Sequence, residues 1–237
     1  MAWEKRGPPR VYFLFSEVAV FSRESWPRIL PFAVYIAFIV IADLLGRAGM
    51  ADLRWLYAVK IGIVAAILAF YWRQYTELAH WDLRPAALLL SVIAGVVVLV
   101  LWINLDAGWM VVGASAGFDP HEGERINWLL VAVRVAGAAL VVPVMEELFW
   151  RSWLMRWIAS ADFLDRPPAH VGVRAFVVTM VLFGVEHNQW LAGMVAGSAY
   201  AWLYMRNGSL WSAVIAHGVT NGLLGAWIIA TGEWTYW

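Results

Sequence analysis

Of 237 residues, 62% are hydrophobic and only 14% charged, against about 25% in a soluble domain, so water is not the main solvent of this chain. A formal net charge of zero gives no electrostatic ground for a nucleic-acid partner, and none is expected. With no cysteine, disulfides, thiol nucleophiles and cysteine-based metal sites are excluded.

The chain opens on a basic stretch, MAWEKRGPPR. The apolar run that follows, Val11 to Phe21, is interrupted by Ser16 and Glu17 and lacks a small-residue cleavage site, so it reads as an interfacial segment. Seven longer apolar stretches come next: Ile29 to Leu45, Trp55 to Trp72, Pro85 to Leu105, a long one starting at Trp128, Val171 to Val185, Trp190 to Met205, and Leu210 to Thr231. A helix needs roughly 17 to 25 mostly apolar residues to cross the hydrocarbon core. The expected fold is all-α, a polytopic transmembrane helical bundle of about seven (7–8) spans in a single membrane domain over residues 1–237.

Aromatic residues mark many edges of these stretches, among them Trp26, Trp55, Trp72, Trp128, Trp190, Trp211, Trp234 and Tyr236, where amphipathic rings favour the headgroup layer. Basic residues are distributed unevenly. With the N-terminus cytoplasmic, Lys5, Arg6, Arg10, Arg23, Arg28, Arg73, Arg84, Arg156, Arg166 and Arg206 fall inside, leaving Arg47, Arg54 and Arg125 outside. This bias predicts an inner N-terminus and an outward-facing loop from Asp106 to Asn127. In the sixth stretch Gly193, Gly197 and Ala201 form a row of small residues suited to close helix packing.

Ionisable residues inside spans face the protein interior or a wet cavity, which makes them site candidates by default. Asp43, Lys60 and Arg174 lie near span ends, where snorkelling is easy, while Arg134 lies deeper and reads as a structural counter-ion. In PVMEELFWRSW, Glu147 and Arg151 are spaced for a same-face helical ion pair. Glu146 points about 100° away from that pair and has no local partner, which makes it a candidate general base. Pro143 upstream cannot complete the helical ladder, so it offers a kink and a way in for water. His217 and Asn221 project from one helical face, an imidazole and an amide aimed at a common point, as an oxyanion site requires. His187 adds a third nitrogen-bearing group from another stretch.

These segments, EELFWR, FGVEH and HGVTN, resemble the EExxxR, FxxxH and HxxxN motifs of the CPBP family. That family comprises CAAX prenyl endopeptidases of the Ras-converting-enzyme type and bacterial Abi-like proteins. The similarity runs in family order through residues 128–231, the expected catalytic core. It implies an intramembrane endopeptidase of the glutamic type. Glu146 and His187 would activate a water, His217 and Asn221 would hold the oxyanion, and Glu147 with Arg151 would support them from behind. The implied substrates are peptide or protein tails at the membrane surface, CAAX-like or otherwise, lipidated ones included. Neither a cofactor nor a metal is expected, and a bacterial inner membrane, with lipid as partner, is the expected location.

Other chemistries fit less well. A His2Glu zinc site is conceivable on paper, but there is no HExxH, and Phe183 stands where an HxxEH around Glu186 and His187 needs its first histidine. No GxSxG is present for Ser198 or Ser212 to belong to, and the only span-borne aspartate is Asp43, whereas an aspartyl protease needs two. A non-catalytic scaffold or immunity protein, its helices held by the same polar residues, leaves the extra carboxylate of Glu146 unexplained. Simple antiparallel threading also places Glu146 near the inner face and His187 near the outer one. Either the helix carrying Glu146 is long and tilted, reaching Ala159, or the FGVEHNQW turn lies below the membrane surface; the second arrangement is expected to contribute.

Overall fold

The computed structural model describes residues 22–113 and 117–237; the interfacial segment expected over Val11 to Phe21 lies outside the described residues. Among these, seven main helices follow one another: α1 (Trp26–Arg47), α2 (Arg54–Phe70), α3 (Pro85–Trp102), α4 (Trp128–Ala159), α5 (Gly172–Val185), α6 (Trp190–Asn207) and α7 (Leu210–Thr231). The only sheet among the described residues is a small antiparallel hairpin of β1 (His121–Glu122) and β2 (Arg125–Ile126), before α4.

Local chemistry sets the helix ends. Pro85 opens α3, where its missing N–H is no loss. The Asn127 side chain accepts from the N–H groups of Leu129 and Leu130 and caps α4. Gly208 and Gly232 take left-handed conformations at φ 72° and 75° and stop α6 and α7.

Four helices, α1, α3, α4 and α7, are long and apolar enough to cross a membrane. The protein is thus an integral membrane protein, but seven helices do not make seven such spans. At 14 residues, α5 is about 21 Å long, short of a roughly 30 Å hydrocarbon core. Helix α6 is wrapped by its neighbours, with Ala192, Ala196, Tyr200, Leu203 and Tyr204 buried, so it needs little lipid-facing apolar surface. The outside carries the opposite pattern: Val40, Leu44, Leu89, Ile93, Leu140 and Val173 are exposed, as a lipid-facing belt requires.

Packing inside is close where side chains are absent. A methyl group added to Gly95 of α3 would lie 2.5 Å from the Ala216 carbonyl oxygen of α7. The same seam is tied by a 2.8 Å bond between Ser91 and Ser212 and by the Thr220 hydroxyl donating to the Gly95 carbonyl at 2.9 Å. Gly193 and Gly197 meet Gly184 and Phe183, so the row of small residues on α6 packs against α5. At the far end of the bundle, Arg28 donates to both carboxylate oxygens of Glu77, at 2.8 and 2.5 Å, and Ser152 of α4 joins them.

Candidate active site

Helix α4 carries both glutamates, and it is not a uniform α-helix. Two π-helical stretches, Gly137–Val141 and Leu148–Met155, flank the short α-helical segment Val142–Glu147. A π turn takes in an extra residue and frees a carbonyl, a device common at functional sites. Here the Val142 N–H reaches back to the Gly137 carbonyl and passes over Ala138. The Asn221 side chain of α7 donates to the Ala138 carbonyl at 2.9 Å. Pro143, next in line, has no N–H to offer. The irregularity anticipated at Pro143 therefore fixes Asn221 against α4.

The two adjacent acids have different surroundings. Glu147 is fully buried, with Oε2 3.1 Å from Arg151 Nε and Oε1 2.9 Å from His217 Nδ1. Arg151 also donates to the Gly197 carbonyl of α6 and lies over the Phe183 ring at 4.4 Å. Glu147 thus links α4, α6 and α7. Glu146 is 5% exposed, and its Oε2 has no hydrogen-bond partner among the described residues. The Nε2 of His217 stands 4.0 Å from this Oε2.

Each imidazole is oriented by what its Nδ1 meets. The His187 Nδ1 lies 2.7 Å from the Phe183 carbonyl, which can only accept, so Nδ1 carries the proton and Nε2 keeps its lone pair in the neutral ring. The His217 Nδ1 donates to Glu147, and the ring stacks on Tyr200 at 4.9 Å between centroids. In a neutral His217, Nε2 is an acceptor as well; it donates only when the ring takes up a second proton. His217 and Asn221 are therefore not two idle donors, since one faces Glu147 and the other holds Ala138.

A cavity of about 190 Å³ brings together Glu146, His187, His217 and Asn221, residues from α4, α7 and the turn after α5. His187 also lines a wider cavity of about 500 Å³ with Trp102, Asp106, Glu186 and Gln189, and so stands where the two meet. Glu147 and Arg151 are absent from the lining of the smaller cavity and sit behind it. The threading difficulty is resolved by both arrangements together. Helix α4 runs on to Ala159, and α5 ends at Val185, early enough to leave His187 within the protein. Among the described residues, no three or more His, Asp or Glu side chains form a group able to hold a metal ion.

Sequence reasoning did not identify Tyr200, the stacking partner of His217, although it falls on the small-residue face of α6 with Gly193 and Gly197. Glu186 was weighed only as part of a zinc motif, yet it lines the outer cavity. Arg134, expected as a counter-ion, faces the inner cavity with no carboxylate in ion-pair range among the described residues.

Residues 127–223 match the family model described as Type II CAAX prenyl endopeptidase Rce1-like. Over that stretch the chain is similar to this family. The match begins at the Asn127 cap of α4, ends two residues beyond Asn221, and contains Glu146, Glu147, Arg151, His187, His217 and Asn221. No curated protein and no solved structure matches the chain. An Rce1-like segment in an integral membrane protein implies a membrane protease acting on peptide or protein substrates.

Proposed function

We propose that this protein is an intramembrane endopeptidase of the glutamic type, with residues 128–231 as its catalytic core. The observation that carries the reading is Glu146. It is a buried carboxylate with an oxygen that makes no hydrogen bond among the described residues, facing a cavity shared with two histidines, beside a second glutamate whose two oxygens are ion-paired to Arg151 and His217.

In this mechanism a water held between Glu146 and the Nε2 lone pair of His187 loses its proton to Glu146 as its oxygen adds to the scissile carbonyl carbon. The carbonyl π pair moves to oxygen. The second amide hydrogen of Asn221 Nδ2, and Nε2 of His217 once protonated, face that oxyanion. Collapse breaks the C–N bond, and Glu146 returns its proton to the leaving amine. Glu147 holds His217 by Nδ1 and balances its charge, with Arg151 fixing Glu147 in turn.

The substrates proposed are tails presented at the membrane, CAAX-like or otherwise, lipidated or not. A bacterial inner membrane is part of this reading, and the distribution of basic residues favours a cytoplasmic N-terminus. The test compares peptides released from membranes bearing the protein or its Glu146→Gln variant. Peptides present only with the former support the reading. Identical sets, from variants equally folded, would leave a scaffold.

A further inference from the structure

The inner and outer cavities meet at a neck. Among the described residues, Trp102, His187, Tyr236 and Trp237 line both of them. Three aromatic side chains thus accompany the histidine proposed to orient the water, and all three lie outside residues 127–223, so the family match does not account for them.

The two sides of this neck are held differently. Trp102 ends α3, its ring stands edge-on to His187 at 5.2 Å between centroids, and its carbonyl accepts from the Gln189 side chain at 3.1 Å. That side is part of the bundle. Tyr236 and Trp237 instead belong to a short segment that turns back after Gly232, whose φ of 75° ends α7. No residue from Gly232 to Trp237 is buried. The Trp234 carbonyl accepts the Phe118 N–H at 3.1 Å, the Tyr236 hydroxyl donates to Asp106 at 3.2 Å, and Trp237 meets the Phe118 ring edge-on at 6.2 Å. Ring contacts of Trp234 with His121 and of Tyr236 with Trp227 complete its hold. Few buried contacts and exposed hydrogen bonds are what a locally opening segment shows.

Volume decides what the neck has to do. Ligand pockets usually measure roughly 300 to 1,000 Å³, and the inner cavity, at about 190 Å³, falls short on its own. Joined to the outer cavity of about 500 Å³, it does not. A peptide cut at Glu146 therefore occupies both cavities and passes between Trp102 on one side and Tyr236 and Trp237 on the other. We infer that Tyr236 and Trp237 form a gate, hinged near Gly232 and latched to Asp106, that opens to admit the substrate chain and limits the bulk of the side chains reaching Glu146. This rests on the endopeptidase reading and adds to it two residues that touch the substrate.

The absence of cysteine allows the gate to be locked selectively. The full chain in detergent, carrying Asp106→Cys with Tyr236→Cys, is treated with a short bifunctional methanethiosulfonate reagent, whose bridge a reductant cuts. The bridged protein is expected to lose cleavage of apolar peptides and to recover it on reduction, and either single variant, treated alike, is expected to show no such reversible loss. Tyr236→Phe removes the latch and is expected to lower KM roughly 2- to 10-fold, as the loss of one hydrogen bond holding the closed form implies. Trp237→Ala is expected to raise kcat/KM more for peptides with tryptophan beside the cut than for those with alanine there. Opening is also read without turnover: a bulky maleimide is expected to label Ala138→Cys, which lines the inner cavity, roughly 2- to 10-fold faster when Tyr236→Phe is added. Equal cleavage by the bridged and reduced protein, labelling unchanged by Tyr236→Phe, or an unchanged size preference in Trp237→Ala would overturn the gate and leave the protease reading intact. Faster labelling with no peptide cleaved by any form would keep the gate and remove the protease.

Discussion

Glu146 and Glu147 are adjacent in sequence, yet they are expected to fail differently when changed. Glu147→Gln leaves Arg151 buried beside a neutral amide and takes the counter-charge from His217; breaking a buried pair costs about 3–5 kcal/mol. Its expected signature is a large fall in melting temperature together with lost turnover. Glu146→Gln preserves volume and gives up only a 4.0 Å approach to His217, so turnover is expected to vanish with the melting temperature almost unchanged. Measured on purified protein, near-normal turnover in Glu146→Gln would exclude Glu146 as the base. Asn221→Ala removes one amide donor, which typically lowers kcat about 100- to 1000-fold, and also releases the Ala138 carbonyl. Residual turnover with a modest loss of stability is expected; turnover equal to that of the unaltered protein would remove Asn221 from the oxyanion site. At this scale the sequence carried the within-helix relations, because Glu147 with Arg151 and His217 with Asn221 follow from helical spacing alone. It did not carry the relations between helices. Which acid His217 bonds, and that Tyr200 stacks beneath it, depend on how α6 and α7 dock.

Hydrophobic run length placed every main helix among the described residues within a few positions, since a membrane helix must satisfy its backbone internally wherever it is apolar. What run length could not show is which helices the bundle itself encloses, so α5 and α6 read as spans although one is short and the other is wrapped. The π stretches of α4 were also invisible, apart from the hint at Pro143. The buried bracket between α1, the α2–α3 connection and α4 was missed too, because Arg28 read only as an inner-side loop cation. Glu77 sits at its centre, in a short 3-10 turn between α2 and α3. Burial pushes its carboxyl upward, but the Arg28 guanidinium and the Ser152 hydroxyl outweigh that and hold it below its ordinary 4.5. A carboxylate lowered in the folded state stabilises at neutral pH and loses that contribution as pH falls below 4.5 through its folded value. Glu77→Gln is therefore expected to melt well below the unaltered protein at pH 7, and the gap is expected to narrow as pH falls below 4.5. A gap that stays constant across that range would mean that the bracket does not depend on the charge of Glu77.

Across the whole molecule, the two ends of the bundle differ in both shape and charge. The wider cavity is lined by Trp102, Asp106, Glu186, His187 and Tyr236, which lie at or just beyond the C-terminal ends of α3, α5 and α7. Arg73, Arg156 and Arg206 lie at or just beyond the C-terminal ends of α2, α4 and α6, with Arg28 near the start of α1. Consecutive helices alternate in direction, so the mouth of the site and most of the arginines lie at opposite ends. The positive-inside bias, legible in the sequence, and the cavity, legible only in the fold, then combine into one expectation: the site opens away from the cytoplasm. Because the chain contains no cysteine, single-cysteine variants report cleanly. In intact cells a membrane-impermeant thiol reagent is expected to label Asn188→Cys and Glu124→Cys, both exposed near the mouth, and to spare Ala161→Cys, exposed at the other end. The reverse pattern would turn the mouth toward the cytoplasm and make cytoplasmic tails the accessible substrates. With the expected pattern, only tails emerging on the outer side can reach Glu146.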